Sequence, residues 1–454
     1  MKLGELEKYK NKQIAILGFW KEGKSTLNFL KDFWMQNITI LDSNIDIVKE
    51  KNHKYILWGG YLADLWKYDL IFKSPWISPY NKQLSKFKSK LITQTQVFFD
   101  NYKWKVIWIT WTKGKSTTST LCYETLKEIW YDVKLVWNIG NPVFDEVDIY
   151  NEQTHDFIVY ELSSYMLEWL NLKLYIWVVN NIYNCHLDWH SWRKNYETAK
   201  FWVIKDAENK LINFELKNYF NNSNSQIKYF WENWDYSFHN PLFYINEQQI
   251  MKDENIKLKW EHNRKNICVI IWVLDIIDKD NMSENLLALE KVLSNFKWLS
   301  HRMEDIWTYN WIQFIDDAIA TTPESTIAAI KTYGNNIWTI LLGWEDSWFE
   351  YNKLRDVLKD NKISNIVLFP DTWEKVFWNL SKFSYETEFN LEWEYSPLIL
   401  KTKTLKSAVA FAYKNTQKWK ICILSNAAPS FSLWSWFIAK WLEYQKEVKN
   451  YVLD

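Results

Sequence analysis

Residues 106–120 read VIWITWTKGKSTTST, and this stretch decides the fold. An apolar strand runs into a turn that carries Thr112, Lys113, Gly114, Lys115, Ser116 and Thr117 and opens a helix. A strand, a lysine-bearing turn and a helix N-terminus together make a phosphate-binding loop, because successive backbone N–H groups and the helix dipole face an anion. Lys115 is placed to reach the outer phosphates of a nucleotide and Ser116 to hold Mg²⁺. The strict motif has glycine five residues before Gly114, where this chain has Ile109, so the match is to a shorter TxGKST form. The plain alternative is a helix start capped by Lys-Ser-Thr.

Trp108 and Trp111 stand in the same stretch, at positions read as tight-turn sites where bare backbone must approach phosphate. The pattern recurs. Gly18-Phe19-Trp20-Lys21-Glu22-Gly23 is GxGxxG without its middle glycine, and Trp137-Asn138-Ile139-Gly140 and Ser74-Pro75-Trp76-Ile77 also look like turns holding an indole. The chain has 32 Trp and 9 Gly among 454 residues. Ordinary usage of about 7% would give roughly thirty glycines. The shortage of one matches the surplus of the other, so most of these tryptophans are expected to be glycine in the cell. A UGA codon reassigned to glycine but read as tryptophan produces this text. The other reading is a protein truly rich in tryptophan.

A chain of 454 residues exceeds one core and predicts about three domains. Lys+Arg and Asp+Glu are both 55, so no net field favours nucleic acid or an anionic membrane. The N-terminal MKLGELEKYKNKQ has no apolar core of a signal peptide, and the apolar run at 267–277 is too short to span a bilayer. Cys122, Cys185, Cys268 and Cys422 are scattered and read as reduced, buried thiols of a cytoplasmic protein.

Three α/β blocks follow one another, with boundaries expected near residues 100 and 300. The first has strands at 13–17, 38–41 and 69–72, a helix over 25–34, and Asp42 roughly 20 residues past the Gly18 turn, as in nucleotide-binding folds. The second runs from the phosphate loop through strands at 157–160 and 176–180, a small antiparallel insertion at 213–259, and a helix over 263–277. The third has strands at 313–315, 339–342, 366–369 and 421–424. This alternation predicts mostly parallel sheets with ligands at the strand C-terminal ends.

Other clusters carry chemistry. Glu161-Leu-Ser-Ser-Tyr165 ends a strand, where a carboxylate can hold a metal, or simply cap a helix. Asn184-Cys-His186-Leu-Asp188-Trp-His190 offers imidazole and carboxylate to a divalent ion, although a lone histidine is more often structural. Tyr196-Glu-Thr-Ala-Lys200 lies on a helix whose lysine could equally face solvent. Glu261-His-Asn263-Arg-Lys-Asn266 opens an apolar helix.

The order of these pieces resembles the Mur ligase family, ATP-dependent amide ligases of peptidoglycan precursor synthesis. The resemblance spans nearly the whole chain. It is carried by TxGKST (112–117), ELSSYMLE (161–168), HLDWH (186–190), YETAK (196–200), EHNRKN (261–266), LSHRME (299–304), DDAIATTPEST (316–326) and LSNAAPSFSLW (424–434). It implies three domains: residues 1–100 binding a UDP-sugar, 101–299 binding ATP, and 300–454 binding an amino acid, the outer two Rossmann-like. Within the family the pattern is most like the member that joins D-glutamate to UDP-N-acetylmuramoyl-L-alanine through an acyl phosphate, as a cytoplasmic monomer. Another Mur-type amino-acid ligase, or a nucleotide-free scaffold if every tryptophan is genuine, are the alternatives.

The resemblance also implies roles. Thr112 to Thr117 would bind ATP, with Lys115 catalytic and Ser116, Glu161 and His186 serving Mg²⁺. Lys200 matches a lysine carbamylated by CO₂, which turns a cation into a metal-binding anion. Asn263, Asn266, Arg302 and Asp317 match nucleotide contacts; Lys21, Glu22, Asp42, Ser74 and Asn138 match the UDP side. Thr321, Ser430 and Phe437 match positions around D-glutamate. Three positions depart from the family. Ile319 and Ser347 stand where some members carry lysine, with Lys440 a base that could compensate, and Lys113 replaces a commoner asparagine.

Overall fold

A computed structural model describes residues 2–451 apart from 52, 103–104, 113, 137–141, 148, 150–154, 168–169, 171–173, 183–189, 191–192, 202–206, 221–225, 232–233, 255, 257, 259–260, 297–301, 345–348, 372, 378–381, 391–394 and 429–436. The chain divides into two compact units, Met1–Phe296 and Lys297–Asp454. The first holds two sheets and the second holds one.

The first sheet contains β1 (Ile14–Leu17), β2 (Ile38–Asp42), β3 (Lys54–Leu57), β4 (Leu70–Lys73) and β5 (Leu91–Ile92). Their order is β3-β2-β1-β4-β5, all parallel. β1 and β4 are buried along their whole length, as central parallel strands covered on both faces must be. Helix α1 (Lys21–Asp32) starts four residues before the sequence reading placed it. Its N-cap is Trp20, which makes no side-chain cap bond, so nothing at that position reads as a helix start. Gly18, at φ +90°, makes the turn, and an added Cβ at Gly23 would lie 2.2 Å from the Gly18 oxygen. Both positions therefore require glycine.

The second sheet contains β6 (Lys105–Thr110), β7 (Val133–Val136), β8 (Phe157–Glu161), β9 (Leu174–Val179), β10 (Ala207–Asn213), β11 (Lys228–Phe230), β12 (Tyr236–His239), β13 (Leu242–Ile245) and β14 (Gln248–Lys252). Their order is β14-β13-β12-β11-β10-β9-β6-β8-β7. Only β12-β13-β14 are antiparallel, so the expected insertion is antiparallel only in its second half, and β10 and β11 extend the parallel sheet. Helices α2 (Gln94–Asn101), α3 (Lys115–Glu128), α4 (Arg193–Phe201), α5 (Glu261–Ile277) and α6 (Met282–Asn295) complete the unit. Helix α5 is buried at Asn263, Arg264, Asn266 and every residue from Ile267 to Leu274.

The third sheet contains β15 (Glu304–Tyr309), β16 (Ile312–Asp316), β17 (Ile337–Trp344), β18 (Asn365–Asp371), β19 (Thr387–Asn390), β20 (Leu398–Lys401) and β21 (Ile421–Leu424), in the order β15-β16-β21-β17-β18-β20-β19. Its two edges are antiparallel and its centre parallel. Helices α7 (Pro323–Tyr333), α8 (Asn352–Asp360), α9 (Leu405–Asn415) and α10 (Phe437–Asn450) cover it. Cys122, Cys268 and Cys422 are buried free thiols. Among the described residues, no helix is long and apolar enough to cross a membrane.

Within the first unit the two sheets are joined through α1. Phe29 stacks on Phe144 at 3.9 Å between centroids, and Ser25 Oγ donates to Asp145 Oδ1 at 2.7 Å. Phe29 is 4% exposed. Phe29→Ala is therefore expected to destabilise the unit by about 3–5 kcal/mol, read as a lowered denaturant midpoint. A loss below about 1 kcal/mol would mean that this contact does not join the sheets.

Candidate active site

The C-terminal ends of the central strands gather the sequence-marked residues into three groups. The first lies beyond β1, β2 and β4. The Phe19 N–H donates to Asp42 Oδ2 at 2.6 Å, and the Gly18 and Ser74 N–H groups donate to Leu41 and Leu17. An added Cβ on Gly18 would lie 2.7 Å from the Ser74 Cβ, so the two turns touch. Lys21 and Glu22 open α1 at the same place. Lys73 was not singled out in the sequence, yet it is buried and its Nζ donates to the carbonyls of Ser74 and Ile77, at 2.9 Å each, and so fixes the Ser74 turn. Burial pushes the Glu22 carboxyl up to about 8, and nearby Lys73 opposes the shift. Asn138 lies outside the described residues.

The second group is the phosphate loop, which follows β6 and ends at Gly114, the N-cap of α3, with φ +100°. Lys115 Nζ donates to the carbonyls of Trp111 (3.0 Å) and Thr112 (3.3 Å). Lys200, on α4, is buried rather than facing solvent. Its Nζ donates to Thr110 Oγ1 (3.0 Å) and to the Trp111 carbonyl (3.2 Å), and it lies 5.2 Å from the Tyr196 ring centre. Thr112 is held by its N–H to Asn181 O (3.0 Å) and by its hydroxyl at 2.7 Å from Tyr196 Oη. Glu161 ends β8 in register with Ile109 of β6, buried beside the loop. Ser116, in the first turn of α3, is buried and Thr117 half-buried.

Asn266 reaches the loop from α5, with Asn263 hydrogen-bonded to it. Asn213 Nδ2 donates to Asn180 Oδ1, Asn180 Nδ2 to Asn266 Oδ1, and Asn266 Nδ2 to Asn263 Oδ1, at 3.0, 3.2 and 3.2 Å. All four carboxamides are buried, and Asn266 Oδ1 lies 3.4 Å from the Cβ position of Gly114. No sequence signal marks Asn180, Asn181 or Asn213, because the network joins residues from separate strands and a helix.

The expectation that Trp108 occupies a turn is wrong. It is a mid-strand residue of β6, buried in the core with its ring 6.3 Å from that of Trp177. Trp111 does lie in the loop, fully buried, with Nε1 3.1 Å from the Cβ position of Gly114. Trp20 is exposed with ordinary extended φ of −100°. Trp137, Lys113 and His186 lie outside the described residues.

The third group lies in the second unit, beyond β16, β21 and β17. Ser425 Oγ donates to Asp317 Oδ2 at 2.8 Å, and the Ala318 carbonyl accepts from Asn426 Nδ2 (3.2 Å) and Lys440 Nζ (3.1 Å). Lys440 is buried and lies 5.0 Å from the Trp344 ring centre. Thr321 and Ile319 belong to the same loop, with the Thr321 N–H donating to Ile319 O. Arg302 acts electrostatically on Asp317. Phe437 begins α10, while Ser430 and Ser347 lie outside the described residues.

Against these geometries stand the comparisons with known proteins. A family profile, the Mur ligase middle domain, matches residues 109–278. The UDP-N-acetylmuramoylalanine–D-glutamate ligase of Buchnera aphidicola subsp. Schizaphis graminum is 30% identical over 93% of this chain and 94% of its own. That of Ligilactobacillus salivarius is 29% identical over 95% of each. Among solved structures, the MurF ligase of Thermotoga maritima in complex with ADP superposes with a TM-score of 0.56 at 13% identity, covering 98% of this chain and 97% of that one. A pseudomurein peptide ligase type C from Methanothermus fervidus gives 0.54 at 14% identity, covering 97% and 100%. The chain belongs to the Mur ligase family, and its three sheets are those of the three-domain Mur ligase architecture.

Burial pushes the Asp317 carboxyl up to about 7; the Ser425 hydrogen bond opposes the shift and Asp316 adds to it. An unfolded aspartate ionises near 3.8. Between these values the folded state keeps a proton that the unfolded state has lost. This group's contribution to stability is therefore complete below about pH 4 and falls as the pH rises to about 7. Asp317→Asn is expected to flatten that slope, read from urea midpoints at pH 4.5 and 7. An unchanged slope would assign it to other groups.

Proposed function

We propose that this protein ligates D-glutamate to UDP-N-acetylmuramoyl-L-alanine, driven by ATP, in peptidoglycan precursor synthesis. The observation that carries this reading is likeness along nearly the whole chain to ligases named for that reaction. The phosphate loop of the second sheet is its physical counterpart. The UDP-sugar is assigned to residues 1–100, through Lys21, Glu22, Asp42, Ser74 and Asn138. ATP is assigned to 101–299, through the loop, Asn263 and Asn266; the family resemblance also gives Arg302 and Asp317 as nucleotide contacts. The amino acid is assigned to 300–454, through Thr321, Ser430 and Phe437. The protein is taken to act in the cytoplasm, as a monomer.

The chemistry follows from charge. The L-alanyl carboxylate attacks the γ-phosphate of ATP, the bond to the β-phosphate breaks and ADP leaves, giving an acyl phosphate. The D-glutamate amine then attacks its carbonyl, losing a proton and releasing inorganic phosphate as the amide forms. Approach of two anions is the obstacle, and Lys115 together with the loop N–H groups offsets it by position and electrostatics. Mg²⁺ fits the donors present, since it is commonly held by one or two carboxylates together with substrate phosphates. Glu161 and the Ser116 hydroxyl supply protein oxygens beside the loop, with His186 assigned to the same role. When bound, the ion neutralises phosphate charge.

Lys200 belongs to this group by position. Its ammonium and that of Lys115 share the Trp111 carbonyl, through bonds of 3.2 and 3.0 Å, so the nitrogens are no more than about 6 Å apart. Two cations so close repel each other, whereas carbamylation of Lys200 makes them an opposite pair and adds a metal-binding oxygen.

Two measurements test the reading on protein purified from the cell that encodes it. Phosphate release from ATP is expected only with UDP-N-acetylmuramoyl-L-alanine and an amino acid together, D-glutamate outranking L-glutamate and L-alanine. Turnover with L-alanine and none with D-glutamate would move the protein to another branch of the family. Lys200→Ala, made in that same background, is expected to lose most activity and to regain part of it with acetate but not with bicarbonate. Full activity without rescue would remove Lys200 from the mechanism.

A further inference from the structure

Backbone geometry separates the tryptophans of this chain in a way that composition cannot. Among the described residues, the non-glycine positions with left-handed φ are Trp34, Trp58, Trp130, Trp231, Trp311, Trp344 and Trp419, together with Asn246, Glu247, Met303, Asn310, Lys362, Glu386 and Ala427. Half are tryptophan, a residue that makes up 32 of 454 positions. Asparagine tolerates this region through its short side chain, whereas a bulky residue there is a steric outlier. The same region holds Gly18, Gly114, Gly334 and Gly343.

Three of the seven sit in motifs whose residue preference has a known cause. Helix α1 ends in a Schellman motif: the Trp34 N–H donates to Lys31 O (2.8 Å) and the Met35 N–H to Leu30 O (3.1 Å), which makes Trp34 the left-handed residue after the cap, at φ 58°. Helix α3 ends identically, with the Trp130 N–H on Lys127 O and the Tyr131 N–H on Leu126 O, both 3.1 Å, and Trp130 at φ 69°. That position is usually glycine. The two indoles are 76% and 93% exposed, so packing does not offset the strain. The β15–β16 hairpin pairs Tyr309 with Ile312, leaving the two-residue turn Asn310-Trp311 at φ 49° and 65°. This is the geometry of a type I′ turn, for which Asn-Gly is the leading sequence. Trp344 is the most extreme, at φ 105°, outside the region that side chains tolerate, and in a strand bulge after Gly343.

Single cases do not decide the matter. Lys362 occupies the same motif at the end of α8, and Asn246-Glu247 makes a similar hairpin turn. The recurrence of one bulky residue type at unrelated turns is what calls for a common cause. A second, independent misfit lies in the core, where the Nε1 atoms of Trp108, Trp111, Trp177 and Trp272 are buried without a hydrogen-bond partner among the described residues. Buried indole N–H groups ordinarily find one. At Trp111 the misfit falls on the phosphate loop, where the indole lies against Gly114.

We propose that the working protein carries glycine at 34, 58, 130, 231, 311, 344 and 419, and at 111, where glycine opens the phosphate loop to a nucleoside polyphosphate. Peptide masses of the protein isolated from the cell that encodes it test this without any assay of activity. Glycine masses at these positions are expected, and tryptophan masses would overturn the proposal. Two chains expressed from unambiguous codons provide the physical check. The chain with Trp34→Gly, Trp130→Gly and Trp311→Gly is expected to melt several degrees above the chain as written, and an equal or lower melting temperature would overturn the backbone argument. Adding Trp111→Gly is expected to raise ADP affinity at least tenfold by calorimetry. Equal affinity with Trp111 in place would show that the indole does not obstruct the loop.

Discussion

The loop between β6 and α3 is built around one backbone oxygen. The Trp111 carbonyl accepts from two lysine ammonium groups, one from the helix that follows the loop and one from α4, some 85 residues further along the chain. Everything that places those lysines has to be in register for this to happen. β6 must be central so that β8 and β9 flank it and deliver Glu161 and Asn180-Asn181 to the same end. Helix α4 must bury Lys200 against Thr110, and Tyr196 one turn earlier must reach Thr112. The N-terminus of α3, with Lys115 in its first turn, is a place where backbone N–H groups and positive charge favour an anion. The sheet topology is thus a requirement of the electrostatics.

The other two sheets use the same device. In each, consecutive turns leave the C-terminal ends of adjacent parallel strands: Gly18 and Ser74 in the first, Asp317 and Ser425 in the third. Such crevices are where open α/β sheets bind ligands, since the connections there diverge to opposite faces. In the first and third sheets a buried lysine stabilises the turn through backbone carbonyls: Lys73 on Ser74 and Ile77, and Lys440 on Ala318. Burial lowers the Lys440 ammonium to about 7, with Asp316 and Asp317 opposing the shift, so what this lysine supplies to the turn is its hydrogen bond to Ala318.

Central strands were legible in the sequence because parallel strands buried on both faces are continuous apolar runs. The segments at β1, β8 and β21 are buried throughout. Edge strands carry no such mark. In β15 no residue is buried and four of six are exposed, and in β19 only Phe389 is buried, so the sequence marks neither as a strand. The start of α1 was misplaced because its cap is a tryptophan with no capping bond. Lys115, Glu161, Lys200, Asn263 and Asn266 belong to contiguous motifs that the sequence marks, and the structure brings them to one end of the second sheet. Lys73, Asn180, Asn181 and Asn213 carry no such mark, since their contacts arise only when separate elements pack together.

The tryptophans carry information of a different kind. A side chain in a strained position normally stays there because surrounding contacts over-determine the backbone. Trp34 and Trp130 are largely in solvent, so their left-handed φ is imposed from the other side, by helix ends whose hydrogen bonds close only if the chain turns that way. The hairpin at 310–311 follows the same logic, because the pairing of Tyr309 with Ile312 dictates the turn whatever occupies it. In each case the neighbouring sequence specifies a conformation that its own residue disfavours. Natural sequences agree across these levels, and a conflict repeated at unrelated turns by one residue type points to the identity of the residue rather than to the fold.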